Sequence, residues 1–193
     1  MPLENLSRFR VDEPDPAAWR PAPITPVVEG IVLAFDQSIR KVGWSLGRCS
    51  PDGIQILATG MIRTEKIHTS HLDTFVSGEA IYDAVEALIV EHQPVFICHE
   101  TPIVAGGRFA RPDAALVAGM AIRSAARRHG IPVRMEAADH IKNRLTNDST
   151  ADKKRVREAI DAFLPEVVDL KPRNEDTYDS IAVMIVSSEK GPI

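Results

Sequence analysis

Ile31-Val32-Leu33-Ala34-Phe35-Asp36 and, after Gln37-Ser38-Ile39-Arg40-Lys41, the run Val42-Gly43-Trp44-Ser45-Leu46 decide the fold. Two short apolar runs joined by a polar link read as the strands of a hairpin. The turn sequence Ser50-Pro51-Asp52-Gly53 then leads into a third run, Ile54 to Ile62, so the domain opens as an antiparallel meander. The period changes next: Leu72, Phe75, Val76, Ala80, Val85, Leu88 and Ile89 recur at helical spacing up to about His92, where Gln93-Pro94 ends the helix. A fourth strand, Val95 to His99, ends at Glu100. A glycine-containing loop over 101–112 precedes a helix rich in small residues, about Asp113 to His129, and Gly130-Ile131-Pro132 opens a fifth strand, Val133 to Glu136. Helices near 138–145 and 151–163 and a last one from Glu175 to about Ser188 complete the order βββαβαβααα. The helical crossover sets the fourth strand parallel to the first. The expected class is therefore α/β, a mixed five-stranded sheet of antiparallel meander plus parallel strands, with helices on both faces.

At 193 residues, 44% apolar and 26% charged, the chain can bury the core of one domain, placed at 30–190. Residues 1–29 hold six prolines and little apolar periodicity, which predicts an irregular arm outside the core. No apolar run approaches the roughly 18 residues of a membrane span, and the N-terminus has acids and prolines where a signal peptide has its apolar stretch. A cytoplasmic location is expected. Cys49 and Cys98 have no metal-ligand spacing and read as reduced thiols. The net charge of -4 argues against a general nucleic-acid binder, yet Arg123 to Arg157 carries ten basic residues against four acids. That segment permits a basic face for a polyanion, although solvated helix surface accounts for it as simply.

Ligand sites in α/β sheets gather at the carboxyl ends of strands, and here the first strand ends in Asp36 and the fourth in Glu100. If those strands are neighbours, the two acids meet. Asp176 and Asp179, three apart at the start of the last helix, share one helical face. Each also has a plainer reading: Asp36 as an Asx turn, Glu100 as a strand terminus before Pro102, the aspartates as complements to the helix dipole. Converging at one low-dielectric edge, however, the four would repel one another unless a cation neutralised them, and magnesium, a hard ion taking oxygen ligands, suits such a site.

These residues carry a resemblance. Phe35-Asp36-Gln37-Ser38 with Gly43-Trp44, then Ile97-Cys98-His99-Glu100, then Asp176-Thr177-Tyr178-Asp179-Ser180-Ile181-Ala182 resemble, in order and spacing, the RuvC family of crossover junction endonucleases. The match runs from about residue 31 to 187 and includes Ala138-Asp139-His140-Ile141-Lys142 and Thr150-Ala151-Asp152-Lys153. It implies an RNase H-like fold and a magnesium-dependent nuclease, with Mn2+ able to substitute. It also implies a branched DNA substrate such as a four-way junction, and a homodimer. The metal ligands and catalytic residues it implies are Asp36, Glu100, Asp176 and Asp179, holding two ions, with Lys153 added to the catalytic set; Lys142 and Lys153 fall where the family has lysines near the DNA backbone. Two departures stand out. In the family, the loop after the second acid carries an aromatic residue that helps open the junction. Here Ile103 lies near that position, and the loop is longer, with Gly106, Gly107, Arg108, Phe109 and Arg111. Phe109 is the candidate wedge, and Arg108 and Arg111 are candidate nucleic-acid contacts. The proline-rich arm is extra, as in a phage or otherwise divergent member.

The mechanism expected is metal-assisted hydrolysis of a phosphodiester by in-line displacement. Its rivals are a related nuclease of RNA, RNA/DNA hybrid or flaps, a non-catalytic nucleic-acid binding module, and an actin-like ATPase. A pure binder gains nothing from acids that repel phosphate. The ATPase needs two domains and a glycine-rich adenosine site, so no nucleotide cofactor is expected. His68 and His71 read as surface, His99 should point across the sheet from Glu100, and Gly106-Gly107 lacks the Gly-Lys-Ser/Thr of a phosphate loop.

Overall fold

Alternating apolar side chains over Gly30–Asp36 (β1), Lys41–Ser50 (β2) and Gly53–Arg63 (β3) build the meander in the computed structural model, which describes residues 23–65, 71–102, 112–169 and 174–192. The remaining elements are α1 (His71–His92), β4 (Phe96–Glu100), α2 (Pro112–Arg128), β5 (Val133–Glu136), α3 (Ala138–Thr146), α4 (Lys153–Phe163), a 3-10 turn (Pro165–Asp169) that the sequence pattern did not announce, and α5 (Glu175–Ser188). The sheet order is β3-β2-β1-β4-β5, with β1 antiparallel to β2 and parallel to β4, and β5 parallel to β4. The expected mixed sheet and its parallel β1–β4 pairing are both present.

Period-two alternation sorts the strands into two cores. Leu33, Phe35, Val42, Leu46 and Ile97 face α1 and α2, packing on Ile81, Val85, Ile89, Ala118 and Ile122. Val32, Ala34, Phe96 and Cys98 face the other side, where α5 lies against the sheet and is covered in turn by Leu145, Val156 and Ile160 of α3 and α4. From Thr177 to Ser188 nearly every α5 residue is buried, as expected of a helix clad on both sides.

The segment before β1 departs from the expectation that residues 1–29 stay outside the core. Val28 is buried in the α5-side core, Ile24 packs against it, and Val27 N donates to Ser188 O at 2.9 Å. Two apolar side chains among prolines carry no periodicity, which is why the pattern did not reveal them. Cys49 and Cys98 are free, buried thiols, and burial pushes Cys49 up to about 11. No helix among the described residues is long and apolar enough to cross a membrane.

Candidate active site

Three elements bring the acids together, each for a local reason. Because Val32 and Ala34 face α5, the period of two puts Asp36 on that side; Phe96 and Cys98 do the same for Glu100. The parallel register ends at Phe35↔His99, so Asp36 and Glu100 emerge side by side one residue beyond it. His99 takes the opposite face, as expected, and is buried toward Gly119 of α2. On the neighbouring strand Gly43 pairs with Asp36, and the first turn of α5 comes down on this glycine so closely that a Cβ there would overlap the Asp176 carbonyl. The start of α5 is fixed by a capping box: Asn174 Oδ1 accepts from Thr177 N at 3.1 Å, and Asn174 N donates to Thr177 Oγ1 at 3.2 Å. Asp176 and Asp179 follow on the adjoining turn.

The electrostatics record this convergence. Asp36 is pushed up to about 8, first by burial and then by the charges of Asp179, Glu100 and Asp176, with Lys153 opposing. Burial and Asp179 also raise Glu100, against the pull of Lys153 and Lys142. Burial raises Asp179 as well, although the Lys153 ammonium, 3.1 Å from its Oδ2, works the other way. Lys153 Nζ also donates to Glu175 Oε2 at 3.1 Å. Burial disfavours its charge, but these acids outweigh that and hold it protonated.

Donor chemistry suits a hard divalent cation: the four side chains offer oxygen only, and Asp36 lies within the repulsive field of the other three. They are not drawn into a cage. Among the described residues no three His, Cys, Asp or Glu side chains stand at metal-ligand spacing, and Asp179 is turned to Lys153. Like charges hold one another apart, and rotation about the side-chain torsions is what would let them share an ion.

Beside Glu100 lies a cleft of about 420 Å³ lined by Thr101, Pro102, Ala137, Asp139, Lys142 and Ser149. Lys142 makes no salt bridge among the described residues, lines this cleft, and its charge acts on Glu100. Much of the basic segment does not: Arg134 pairs with Glu136, Arg144 with Glu189, Arg155 with Asp148, Arg128 with Glu86 and Lys154 with Glu158, while Arg157 stacks 4.8 Å over Tyr178. Much of the excess charge seen in the sequence is thus paired within the protein, in part at its surface. Among the described residues, Lys142 and Lys153 are the cations whose charges act on Asp36 and Glu100.

Comparison with known proteins shows the family. The family model described as crossover junction endodeoxyribonuclease RuvC matches residues 32–187. The chain belongs to the RuvC family. RuvC of Tolumonas auensis is 28% identical over 161 residues, covering 82% of this chain and 86% of that protein. RuvC of Pasteurella multocida is 28% identical over 155 residues, covering 80% and 77%. Among solved structures, Thermus thermophilus RuvC superposes with a TM-score of 0.68 at 18% identity, covering 82% of this chain and 93% of that one. The same RuvC in complex with a Holliday junction substrate gives 0.66 at 17% identity, covering 83% and 94%. At such identities these structures speak for the RuvC fold.

The structure thus brings together Asp36, Glu100, Asp176, Asp179 and Lys153, and sets Lys142 at the rim. Ile103, Arg108, Phe109 and Arg111 lie outside the described residues. Two participants had no role assigned from sequence: Glu175, which shares Lys153, and Gln37, whose Nε2 donates to the Glu100 carbonyl. Gln37 sits directly after the first acid at a strand end, which was the available signal. His140, for which sequence named no partner, binds Glu136 at 2.7 Å, with Lys190 Nζ 3.1 Å from the same carboxylate oxygen.

Proposed function

We propose that this protein is a metal-dependent endonuclease that resolves four-way DNA junctions, using Asp36, Glu100, Asp176 and Asp179 as ligands of magnesium. The observation that carries the reading is the placement of four carboxylates from three elements at one sheet edge, where Asp36 is pushed up to about 8 by burial and by the other three. A surface that only bound phosphate would be weakened by such a cluster. Asp36, Glu100, Asp176 and Asp179 would hold two magnesium ions, for which manganese could substitute, and the bound metal would supply an activated water and neutralisation of charge on the scissile phosphate. The protein's own part is to hold the acids at the ends of β1, β4 and α5, and to place the Lys153 ammonium beside Asp179, where it can stabilise negative charge developing on the phosphate. Lys142, at the rim of the cleft by Glu100, contacts the DNA backbone without reading bases.

The active assembly is a homodimer, since two symmetric cuts need two equivalent sites. Its interface is the outer face of α1 and α2, where Leu72, Phe75, Leu116 and Met120 are exposed and a groove of about 300 Å³ runs between Tyr82 and Val117. That face is across the sheet from α5 and leaves the acidic edge open to DNA.

The deciding experiment is cleavage of labelled four-way junction, fork, plain duplex and RNA/DNA hybrid with and without magnesium, with Asp36→Asn as control. Magnesium-dependent, paired cleavage of the junction is expected. Preferential cleavage of the hybrid or the fork would reassign the substrate, and metal-independent or absent cleavage of all four would overturn the reading.

A further inference from the structure

We propose that Gln37 is a positioning residue that fixes Asp36 and Glu100 relative to each other, an inference resting on the reading of these acids as metal ligands. The backbone does not do this. The β1–β4 ladder ends at Phe35↔His99, so although Asp36 still pairs with Gly43 and Glu100 with Glu136, each acid stands one residue past the last backbone pair that joins β1 to β4. Gln37 closes the gap with its side chain: the residue after one acid donates its amide Nε2–H to the main-chain carbonyl of the other, 63 positions away. The bond continues the ladder by one rung, with a side-chain amide in place of a backbone N–H.

The grip is reinforced from both sides. The same Glu100 carbonyl lies 2.8 Å from His99 Nδ1, and because a carbonyl only accepts, that nitrogen carries the proton and donates. Both lone pairs of the carbonyl are then engaged, one by each side chain. One residue on, Thr101 N donates to Glu136 O at 2.7 Å, tying the chain to β5. The peptide that follows the Glu100 α-carbon is thus held at both its carbonyl and its N–H, which steadies the backbone from which the carboxylate projects.

A second observation separates this from ordinary packing. Gln37 Oε1 is buried and has no donor among the described residues. A buried acceptor left without a partner is costly, and native structures keep few of them without a reason. An aliphatic side chain would fill the space without that cost but could not grip Glu100. The unused oxygen also leaves the amide an acceptor for water drawn into the site. Length matters too: asparagine is one methylene shorter, and methionine matches glutamine in length but has no donor.

The test uses the full chain carrying Gln37→Met and, separately, Gln37→Asn, beside the wild type and Asp36→Asn. Magnesium is titrated with two readouts: the rise in unfolding temperature and single-turnover junction cleavage. Junction affinity is measured in calcium. A partner that orients a metal ligand typically changes metal affinity by about tenfold or more when lost, so both Gln37 variants should need about ten times more magnesium in each readout. Cleavage at saturating magnesium should be restored toward wild type, and junction affinity in calcium unchanged. A merely structural role predicts a lower unfolding temperature at every magnesium concentration with no shift in the midpoint. A wild-type midpoint in either folded variant overturns the proposal, and Gln37→Asn, which keeps the polar group, carries the test if Gln37→Met does not fold. Should magnesium leave the wild type and Asp36→Asn equally unaffected, the metal reading itself fails and this inference falls with it; a response confined to the wild type and shared in full by the Gln37 variants would refute the positioning role alone.

Discussion

Asp36→Asn should stabilise the metal-free protein at neutral pH while abolishing its cleavage. An ordinary aspartate titrates near 3.8, whereas Asp36 in the folded protein is pushed up to about 8, chiefly by burial and then by Asp179, Glu100 and Asp176. The sign follows from which state binds the proton. Between these two values the folded protein holds a proton that the unfolded chain has released, so stability falls as pH rises from about 4 and the penalty is complete only above about 8. At pH 7 roughly three units of that interval are in force, and at 1.36 kcal/mol per unit the ceiling is about 4 kcal/mol. Glu100 and Asp179 share the proton with Asp36 as the cluster ionises, so about half of that ceiling, on the order of 2 kcal/mol, should be expressed. For a domain of this size it corresponds to roughly 4 to 8 °C in unfolding temperature. The assay is thermal unfolding in chelator from pH 4 to 8. The variant should match the wild type at pH 4 and exceed it at pH 7, and magnesium should raise the wild type without raising the variant. An Asp36→Asn protein less stable than wild type at pH 7 in chelator would refute the convergence of charges on which the site rests.

Other consequences are more local. Gly43→Ala should cost on the order of 1 to 3 kcal/mol in denaturant unfolding, because the new Cβ meets the Asp176 carbonyl, which is backbone and yields poorly; cleavage assayed where the variant is fully folded should still fall sharply, since the displaced element carries two of the four acids. Lys153→Ala should slow single-turnover cleavage by about a hundredfold with junction affinity in calcium far less affected, and equal losses in both would assign it to binding alone. Lys142→Ala should weaken junction binding alike for every sequence and make the slope of log affinity against log salt shallower by about 0.9; an unchanged slope would remove it from the DNA path.

Both strand-borne acids were legible because each closes an apolar run, and run ends are what a period-two pattern marks best. The aspartates of α5 were legible for a complementary reason, their spacing of three at the head of a helix, which sets them on one face. What the pattern left unread depends on partners distant in the chain. Arg144 and Glu189 are 45 residues apart, Lys190 and Glu136 are 54 apart, and Gln37 and Glu100 are 63 apart. No local propensity encodes such pairs, so the charge excess of 123–157 left a basic face and a solvated surface equally open, where tertiary placement pairs many of these side chains with acids. Val28 escaped notice similarly: isolated apolar residues near prolines have no period, and only the packing of this segment onto the α5-side core buries it.

The division of labour in the site follows from where each residue is anchored. Asp36 and Glu100 terminate β1 and β4, two inner strands of the sheet, and Asp176 and Asp179 begin a helix buried almost throughout. Repulsion among these acids would open a loosely held edge, and here it acts against the best-packed elements of the protein. Lys142 and Lys153 sit instead on α3 and α4, which cover α5 from outside, and the Lys153 side chain is 59% exposed. A metal ligand must be held to within a fraction of an ångström, whereas a phosphate contact tolerates a long, flexible arm. Acids carried on buried elements beneath more exposed cations is the order in which a cation and then a DNA strand can be accepted, and it predicts that substitutions in the α5-side core disturb magnesium binding before they disturb junction binding.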